Sequence, residues 1–277
     1  MTKGIHIWST APGLKKRAGS PYEPTYFELV CLALSALMWR KFNGPIKFYT
    51  DLEAFSWFAS HDLLDIWDAG VDVDTLEAIP SSINQEIFWA GSKLFALRAE
   101  PAPVAMVDTD LIIWKPLGRL LRKPLTVLHR EDILECYLPS FFLKTRPGYE
   151  FDPQWDWTVR PCNTAFAYFE DEGFKNQYVG KAIDFMTDNT VYPKEMVSQM
   201  VFAEQRLLAM EARKEGLRIN TIIKDPYQED NDIFTHLWGA KRIARSNAEQ
   251  CELLVRAMMN KIRQENLNIY EKLRRLG

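Results

Sequence analysis

Asp108 and Asp110, two carboxylates separated by one residue, follow the apolar run Val104 to Val107. The run begins after Pro103 and is typical of a buried strand in a parallel sheet, where ligands bind at the carboxyl ends of the strands. Because side chains alternate along an extended chain, both carboxylates can leave on one side, with Cα atoms about 6.5–7 Å apart. Carboxylates at that separation repel each other unless they share a proton or a cation. The spacing therefore indicates a divalent metal site that faces a ligand with oxygens of its own, such as a diphosphate.

A second group of chemically useful residues lies near the C-terminus: His236, Gly239 and Lys241. An imidazole can complete a metal site begun by two carboxylates, and mixed nitrogen and oxygen ligands favour Mn²⁺ over Mg²⁺, which we keep as an alternative. Glycine allows close approach of the backbone to a ligand, and lysine offers a point charge for phosphate oxygens. Each motif alone has a plainer explanation, a solvated turn for the aspartates and a packed strand end for His236. Together they favour a metal–diphosphate site.

These two motifs resemble the signature of GT-A glycosyltransferases, especially the galactosyltransferase and glycogenin-like group, which pairs Asp-x-Asp with a late His-x-x-Gly-x-x-Lys. The present spacing is His-x-x-Gly-x-Lys, one residue shorter. The segment from Cys162 to Phe166 looks like the family's Asn-(Ser/Ala)-Gly segment, with Ala165 where glycine is usual. The segment 202–208 is similar to its Asp-Gln-x-x-Leu-Asn segment, with Glu204 replacing the aspartate and Ala209 replacing the asparagine.

The resemblance spans residues 4–242 and implies transfer of a sugar from a nucleotide-diphosphate sugar, by analogy a UDP-sugar, with retention at the anomeric carbon. The implied acceptor is a glycan, a lipid-linked glycan or another hydroxyl compound. Asp108, Asp110 and His236 are implied to hold the metal, while Glu204 and Gln205 are implied to face the reacting sugar. The resemblance also implies donor contacts from Ser9, Thr10, Asp51, Lys93, Asp108, Thr109, Asn163, Thr164, Gly239 and Lys241.

Several of these residues also have structural explanations. Asp51 could cap the helix that follows it, and Lys93 could be solvated, with Arg98 as a competitor for its role. Glu204 could stabilise the start of a helix by complementing the helix dipole. Three histidines have no supporting partners in the sequence and are expected to be structural: His6, His61 and His129. An aromatic group is expected either to stack on a sugar or to anchor its loop: Tyr149, Phe151, Trp155 and Trp157.

The composition limits the class of protein. The chain has 277 residues, of which 47% are hydrophobic, and this suits one large α/β domain or two small ones. A net charge of −3 gives no general attraction to nucleic acid, and four cysteines without a C-x-x-C pair are typical of reduced thiols in a cytosolic protein. We see no signal peptide and no run approaching the roughly 20 apolar residues that span a bilayer. We therefore expect a soluble cytoplasmic protein, with peripheral membrane contact left open.

The order of predicted elements favours a three-layer α/β/α fold with a mostly parallel central sheet, which matches the GT-A (Rossmann-like) architecture that the resemblance implies. Thr25 and Glu28 form a capping box for a helix from Tyr26 to about Phe42 with one apolar face. Ser82 and Gln85 predict a second capping box, for a helix that runs to about Ala99.

Two domains are predicted: a GT-A-like catalytic domain at 1–242 and an amphipathic helical extension at 243–277. We expect the extension to pack on the catalytic domain rather than to bind a membrane or a partner.

Two other functions remain open at this stage. A phosphohydrolase of the haloacid-dehalogenase kind uses the first aspartate of Asp-x-Asp as a nucleophile, but it usually carries that motif on the first strand. A non-catalytic GT-A-like protein that binds a nucleotide or glycan is the other alternative, and the altered motifs at Ala165, Ala209 and Lys241 keep it open.

Overall fold

A computed structural model describes residues 1–13, 17, 19–137, 140–192, 196–225, 231–238 and 247–277. The strands are β1 Lys3–Trp8, β2 Ile46–Thr50, β3 Val71–Asp72, β4 Val104–Val107, β5 Leu111–Ile113, β6 Leu125–Val127, β7 Phe166–Phe169, β8 Ile219–Thr221 and β9 Phe234–His236. The helices are α1 Tyr26–Phe42, α2 Leu52–Ser60, α3 Asp74–Glu77, α4 Gly91–Ala99, α5 Glu172–Met186, α6 Met196–Val201, α7 Leu207–Lys214, α8 Ala248–Glu265 and α9 Leu267–Arg274. A π-helical segment, Phe202–Arg206, joins α6 to α7.

Within the described residues, seven strands form the central sheet in the order β3-β2-β1-β4-β7-β6-β8. Neighbouring strands are parallel except where β7 pairs with β4 and β6. The strands β5 and β9 form a separate antiparallel pair. The predicted α/β class with a mostly parallel central sheet is confirmed.

Helices cover both faces of this sheet, because the side chains of β4 point alternately into two separate hydrophobic cores. Ala105 and Val107 belong to one hydrophobic core, and Val104 and Met106 belong to a second core on the opposite face. The first core is completed by residues of α1, α8 and α9, and the second by residues of α4, α5 and α7. Four consecutive apolar residues are therefore what a strand buried on both faces requires, and the predicted three layers are confirmed.

Helix α1 begins and ends where the sequence predicts. The hydroxyl of Thr25 accepts a hydrogen bond from Glu28 N, the Glu28 carboxylate accepts one from Thr25 N, and Asn43 ends the helix. The expectation of a single apolar face was wrong, because every residue from Leu29 to Trp39 is buried. Helix α8 covers the side that would otherwise face solvent, and Cys31 Sγ lies 3.7 Å from Met258 Sδ.

The C-terminal helices pack on α1, as expected. Met258, Ile262, Ile269 and Leu273 belong to the same core as α1, and Lys41 pairs with Glu265 at 2.7 Å. The predicted domain boundary at 242/243 falls outside the described residues and stays a prediction.

The predicted second capping box was wrong. Residues 81–90 form turns, and α4 begins only at Gly91. The carbonyl of Ser82 accepts a hydrogen bond from Asp188 N, and Ile83 forms an isolated bridge with Thr187. Contacts with a segment about a hundred residues away therefore hold Ser82 and Ile83 in a non-helical conformation, and they override the local helix signal.

Within the described ranges, no helix is both long enough and apolar enough to cross a membrane.

Candidate functional site

The polar residues expected to bind a ligand lie along one edge of the sheet. Asp51 follows β2 and Asp108 follows β4, so both come at the carboxyl ends of parallel strands. Because β7 is antiparallel to β4, the residues before β7 reach the same edge, and Asp108 N donates to Ala165 O at 2.8 Å. Strand direction alone thus brings Asn163 and Thr164 beside the aspartates.

Asp108, Asp110 and His236 form a potential metal-binding group, in which one ligand atom from each residue lies within 4.8 Å of the others. The β5–β9 pair creates it, because Leu111 lies opposite His236 in the ladder and Leu237 N donates to Asp110 O at 2.9 Å. His236 Nε2 lies 3.7 Å from Asp110 Oδ1. The donor set fits a divalent cation, and the three residues lie together as the metal-site hypothesis requires, while their role as metal ligands stays a prediction.

Burial sets the charge state of the imidazole. It lowers the pKa of His236, and the negative charge of Asp110 only partly opposes this effect. The ring is therefore neutral at neutral pH, which is the form that binds a metal. Asp110 is buried and Asp108 is half-buried, so the group opens to solvent through Asp108 and His236.

Lys93 connects the metal-binding group to Glu204. Its ammonium nitrogen lies 2.6 Å from Asp108 Oδ1 and 2.9 Å from Glu204 Oε1. Burial alone would lower the pKa of Lys93, but the two carboxylates outweigh it and raise the pKa above its usual value. Lys93 is thus a fixed cation rather than a solvated lysine. The competitor Arg98 instead stacks on Phe95, at 4.9 Å from the ring centroid.

Glu204 lies in the π-helical segment that interrupts the helix, not in a first turn, so the helix-dipole explanation was wrong. Burial raises the pKa of its carboxyl, the charge of Asp108 raises it further, and Lys93 opposes both. Tyr178 donates a hydrogen bond to the Glu204 carbonyl at 2.7 Å. A π turn rotates a side chain away from the regular helical position and is frequent at functional sites, and here it turns Glu204 towards Lys93.

The side chain of Gln205 contacts Tyr137, whereas that of Glu204 contacts Lys93. Gln205 Oε1 accepts a hydrogen bond from the Tyr137 hydroxyl at 2.6 Å. Asn163 Nδ2 donates to Glu131 Oε1 at 2.7 Å, and His129 Nε2 lies 3.8 Å from the same carboxylate oxygen. The sequence reasoning missed Tyr137 and Glu131 and gave His129 no partner. The one signal for that partner was the His-x-Glu spacing at the end of β6.

Thr164 and Thr109 complete the centre of the site. The Thr164 side chain is buried, and its hydroxyl makes no hydrogen bond of normal geometry within the described residues. It is nevertheless near enough to Glu204 to offset part of the rise in the pKa of that carboxyl. Thr109 is half-buried in the turn between the two aspartates.

Ser9, Thr10 and Asp51 come together at the ends of β1 and β2. Asp51 Oδ2 accepts hydrogen bonds from Ser9 Oγ and from Thr10 N, while Asp51 Oδ1 caps α2 by accepting one from Ala54 N. Thr10 Oγ1 donates to Glu53 at 2.8 Å. The helix-cap explanation of Asp51 is therefore realised, and the same carboxylate also orders the loop that begins at Ser9.

Gly239 and Lys241 lie outside the described residues, and their predicted role remains a prediction. The aromatic group anchors its loop rather than presenting a free face. Trp157 stacks on Phe202 at 5.5 Å, and Trp155 donates from Nε1 to Glu211 and is 5% exposed.

A buried chain of hydrogen bonds, which we call the relay, holds the backbone next to Asp110. Trp67 Nε1 donates to His6 Nδ1 at 3.3 Å, so the proton of His6 resides on Nε2, which lies 3.1 Å from Ser35 Oγ. Ser35 in turn donates to Leu111 O at 2.5 Å. His6 is structural, as expected, but it acts on the backbone that carries Asp110.

The relay gives stability a pH dependence. Burial lowers the pKa of His6 from 6.5 to about 3, against the opposing charge of Asp110. Between pH 6.5 and 3, His6 therefore binds a proton in the unfolded chain but not in the folded protein. The contribution of His6 to the free energy of unfolding is present in full above pH 6.5 and is lost as the pH falls towards 3. We expect the free energy of unfolding to lose about 1.4 kcal/mol per pH unit from this group.

Urea unfolding of wild type and His6→Gln at pH 7, 6, 5 and 4 in EDTA measures this slope. The advantage of wild type over the variant should shrink with each step down. If the free energies of unfolding of the two proteins changed in parallel with pH, His6 would not titrate in this way.

No curated protein sequence matches the chain. Solved structures do resemble it at low sequence identity. A protein described as PaToxG glycosyltransferase is 14% identical with a TM-score of 0.43, over 99% of this chain and 87% of that chain. The apo form of mouse xyloside xylosyltransferase 1 is 12% identical with a TM-score of 0.39, over 80% and 84%. The galactosyltransferase LgtC, in complex with donor and acceptor sugar analogues, is 10% identical with a TM-score of 0.46, over 95% and 100%.

At the level of families, one sequence model matches nearly the whole chain. It spans residues 5–276, from within β1 to two residues beyond the end of α9. The chain therefore belongs to DUF6734, a family of unknown function.

Proposed function

We propose that the protein is a metal-dependent glycosyltransferase of the GT-A type, which transfers a sugar from a nucleotide-diphosphate sugar to a hydroxyl acceptor. The observation that carries the proposal is the convergence of Asp108, Asp110 and His236 at the carboxyl edge of a mostly parallel sheet. Lys93 links this group to the buried carboxyl of Glu204. A diphosphate is the kind of ligand whose negative charge a divalent cation and a lysine can balance together.

Asp108, Asp110 and His236 would hold the cation. Mn²⁺ suits their mixed oxygen and nitrogen donors better than Mg²⁺, which remains the alternative. When bound, the cation supplies Lewis-acid neutralisation of the charge that grows on a departing diphosphate. The protein's own contribution is a neutral imidazole, because burial lowers the pKa of His236, and a backbone turn held by Ser35.

Lys93 and Glu204 would act on the donor. Lys93 can exchange part of its pairing with Asp108 and Glu204 for contact with diphosphate oxygens, where its charge stabilises the leaving group. Glu204 would then face the reacting sugar and stabilise positive charge at the anomeric carbon. Gln205, whose side-chain oxygen is held by Tyr137, would position the sugar from the adjacent side.

The remaining predicted residues fit the two ends of such a donor. Ser9, Thr10 and Asp51 would contact the nucleoside, for which uridine is our first choice, and Thr109 would contact the diphosphate, together with Gly239 and Lys241. Asn163 and Thr164 would bind sugar hydroxyls, since an amide and a hydroxyl both donate and accept hydrogen bonds. A glycan or lipid-linked glycan would supply the acceptor hydroxyl, and we propose retention at the anomeric carbon.

Donor hydrolysis in the absence of an acceptor tests this function. Incubation with UDP-, GDP- and CDP-sugars in Mn²⁺, followed by ³¹P and ¹H NMR, is expected to show release of one nucleoside diphosphate and of a sugar that first appears as the α-anomer when the donor is α-linked. The same reaction with EDTA or with Asp110→Asn should show none.

Two other results would overturn the proposal. Release of phosphate from a simple phosphoester, without turnover of any sugar nucleotide, would indicate a phosphohydrolase. Tight binding of a sugar nucleotide with neither hydrolysis nor transfer to a panel of glycan acceptors would indicate a non-catalytic binding protein.

A further inference from the structure

A cleft of about 380 Å³ is lined by residues of the loop before β7, of α7 and of β8. Arg130 and Arg213 line it, together with Asp156 and Thr158 of the loop before β7 and with Ala209 of α7. We call this space the arginine cleft. It does not include Lys93, Asp108, Asp110 or His236.

Arg206 does not line the arginine cleft, but it contacts the loop 156–158 that does. It precedes the lining residues Ala209 and Arg213 by three and seven positions, which places all three on one face of the helix. Its Nη2 donates to the carbonyl of Trp157, the residue between Asp156 and Thr158. Its guanidinium carbon lies 5.4 Å from the centroid of the Trp157 ring.

The guanidinium of Arg206 lacks the partners that a buried charge normally has. The residue is 2% exposed, and its Nε and Nη1 make no hydrogen bond within the described ranges. Burial lowers the pKa of Arg206, which is the sign of a cation in an environment that does not fully stabilise it. An unpaired buried cation costs several kcal/mol unless an anion compensates it.

Asp156 compensates the charge of Arg206 only in part, because burial lowers the pKa of Arg206 by more than the charge of Asp156 raises it. Its Oδ1 accepts hydrogen bonds from Thr158 N and from Thr158 Oγ1, at 2.9 and 2.6 Å. Its Oδ2 lies 4.0 Å from Arg213 Nε, and the Arg213 side chain is 71% exposed. Arg130 is held in place because its Nε and Nη2 donate to the carbonyls of Pro161 and Arg160. Among the described residues, two guanidinium groups therefore line the cleft and that of Arg206 lies behind its loop, against one lining carboxylate, that of Asp156.

We propose that the arginine cleft binds a phosphate group, with Arg213 and Arg130 in its lining and Arg206 contributing positive potential from behind the loop 156–158. Guanidinium groups match the geometry and charge of phosphate oxygens. The volume holds a phosphate together with a small attached group, so a sugar phosphate and a phospholipid headgroup are both sources of the same chemistry. This site is independent of the proposed glycosyl transfer, because it uses neither the metal-binding group nor Glu204.

Thermal unfolding in EDTA tests the proposal, with inorganic phosphate, glucose 1-phosphate, and vesicles of phosphatidylcholine with or without phosphatidic acid as probes. We expect inorganic phosphate to raise the unfolding temperature to a saturating value. Whichever of glucose 1-phosphate and phosphatidic acid vesicles raises it more shows whether a sugar phosphate or a lipid headgroup supplies the phosphate group. Arg213→Gln should weaken phosphate binding by about tenfold or more, the factor expected from loss of a charge-assisted hydrogen bond, and Arg206→Met should weaken it by a smaller factor, through loss of positive potential alone. Arg256→Gln, which removes an exposed arginine paired with Glu252 at 2.8 Å, should respond like wild type, and so should Asp110→Asn.

The unfolding temperatures of the variants without ligand show whether Arg206 stabilises the fold or serves phosphate binding. Arg206→Met should unfold at the same temperature as wild type or higher, because it removes a buried charge with two unpaired N–H groups. No response of wild type to any of the phosphate probes would overturn the proposal, whatever the unfolding temperature of Arg206→Met. Equal loss of binding in Arg256→Gln would also overturn it. If Arg206→Met does not fold, Arg213→Gln decides, since that side chain is exposed.

Discussion

Replacing Asp110 with asparagine is expected to abolish Mn²⁺-dependent nucleotide binding while leaving the folded protein almost as stable as before. The change removes one of two anionic ligands from a group whose ligand atoms lie within 4.8 Å of one another. Removal of residues that only orient a metal ligand already weakens metal binding by about 10–100-fold, so loss of the ligand itself should cost more than about 100-fold. Stability should change little, because asparagine keeps the shape of the side chain and relieves repulsion from Asp108.

Isothermal titration with Mn²⁺, followed by UDP, measures both affinities, and circular dichroism measures the unfolding temperature. Asp132→Asn is the matched control, since its carboxylate is 74% exposed and lies on a surface loop. If Asp110→Asn bound Mn²⁺ as tightly as wild type, the proposed metal site would be wrong.

Replacing Lys93 with methionine is expected to have the largest effect on stability. The ammonium group lies within 3 Å of both Asp108 and Glu204, and the Glu204 side chain is 2% exposed. Without the lysine, a carboxyl group would be left buried without its cation, which typically costs about 3–5 kcal/mol. The double variant Lys93→Met/Glu204→Gln should recover much of this loss, because it no longer buries that charge.

Urea unfolding in EDTA and in Mn²⁺ measures these changes. Mn²⁺ should restore part of the stability of Lys93→Met, because a cation beside Asp108 replaces part of the missing positive charge. Lys181→Met is the control, since Lys181 is 45% exposed and 4.0 Å from Asp152, and we expect a change below about 1 kcal/mol. If Lys93→Met is as stable as the control, Lys93 is not the central cation of this site.

The elements that local signals determine could be predicted from the sequence. Helix α1 carries its start signal in Thr25 and Glu28 and its stop signal in Asn43, so both ends were found. Strand β4 is buried on both faces, and its four apolar residues are all that such a strand needs. The pairing of Asp108 with Asp110 follows from adjacency, whereas His236 was joined to them by the ligand chemistry of imidazole and by the resemblance to a known motif.

Features that depend on distant segments could not be predicted in this way. The Ser82 capping signal fails because the Ser82 carbonyl binds Asp188, and α1 is buried all round because α8 packs on it. The π turn at Glu204 has no sequence signal that we recognise, yet it directs that carboxyl to Lys93. His6 acts on the aspartate turn only through Ser35, a contact that helix and strand patterns do not encode.

The most direct test of the central claim is thermal stabilisation of the purified protein by UDP, GDP, CDP and their sugars, each with Mn²⁺ and with EDTA. A metal–diphosphate site predicts that one nucleotide raises the unfolding temperature in Mn²⁺ and that EDTA removes the effect. It also predicts that Asp110→Asn shows no response to that nucleotide. If no nucleotide changes the unfolding temperature, Asp108, Asp110 and His236 do not form a nucleotide-sugar site, and the proposed function is wrong.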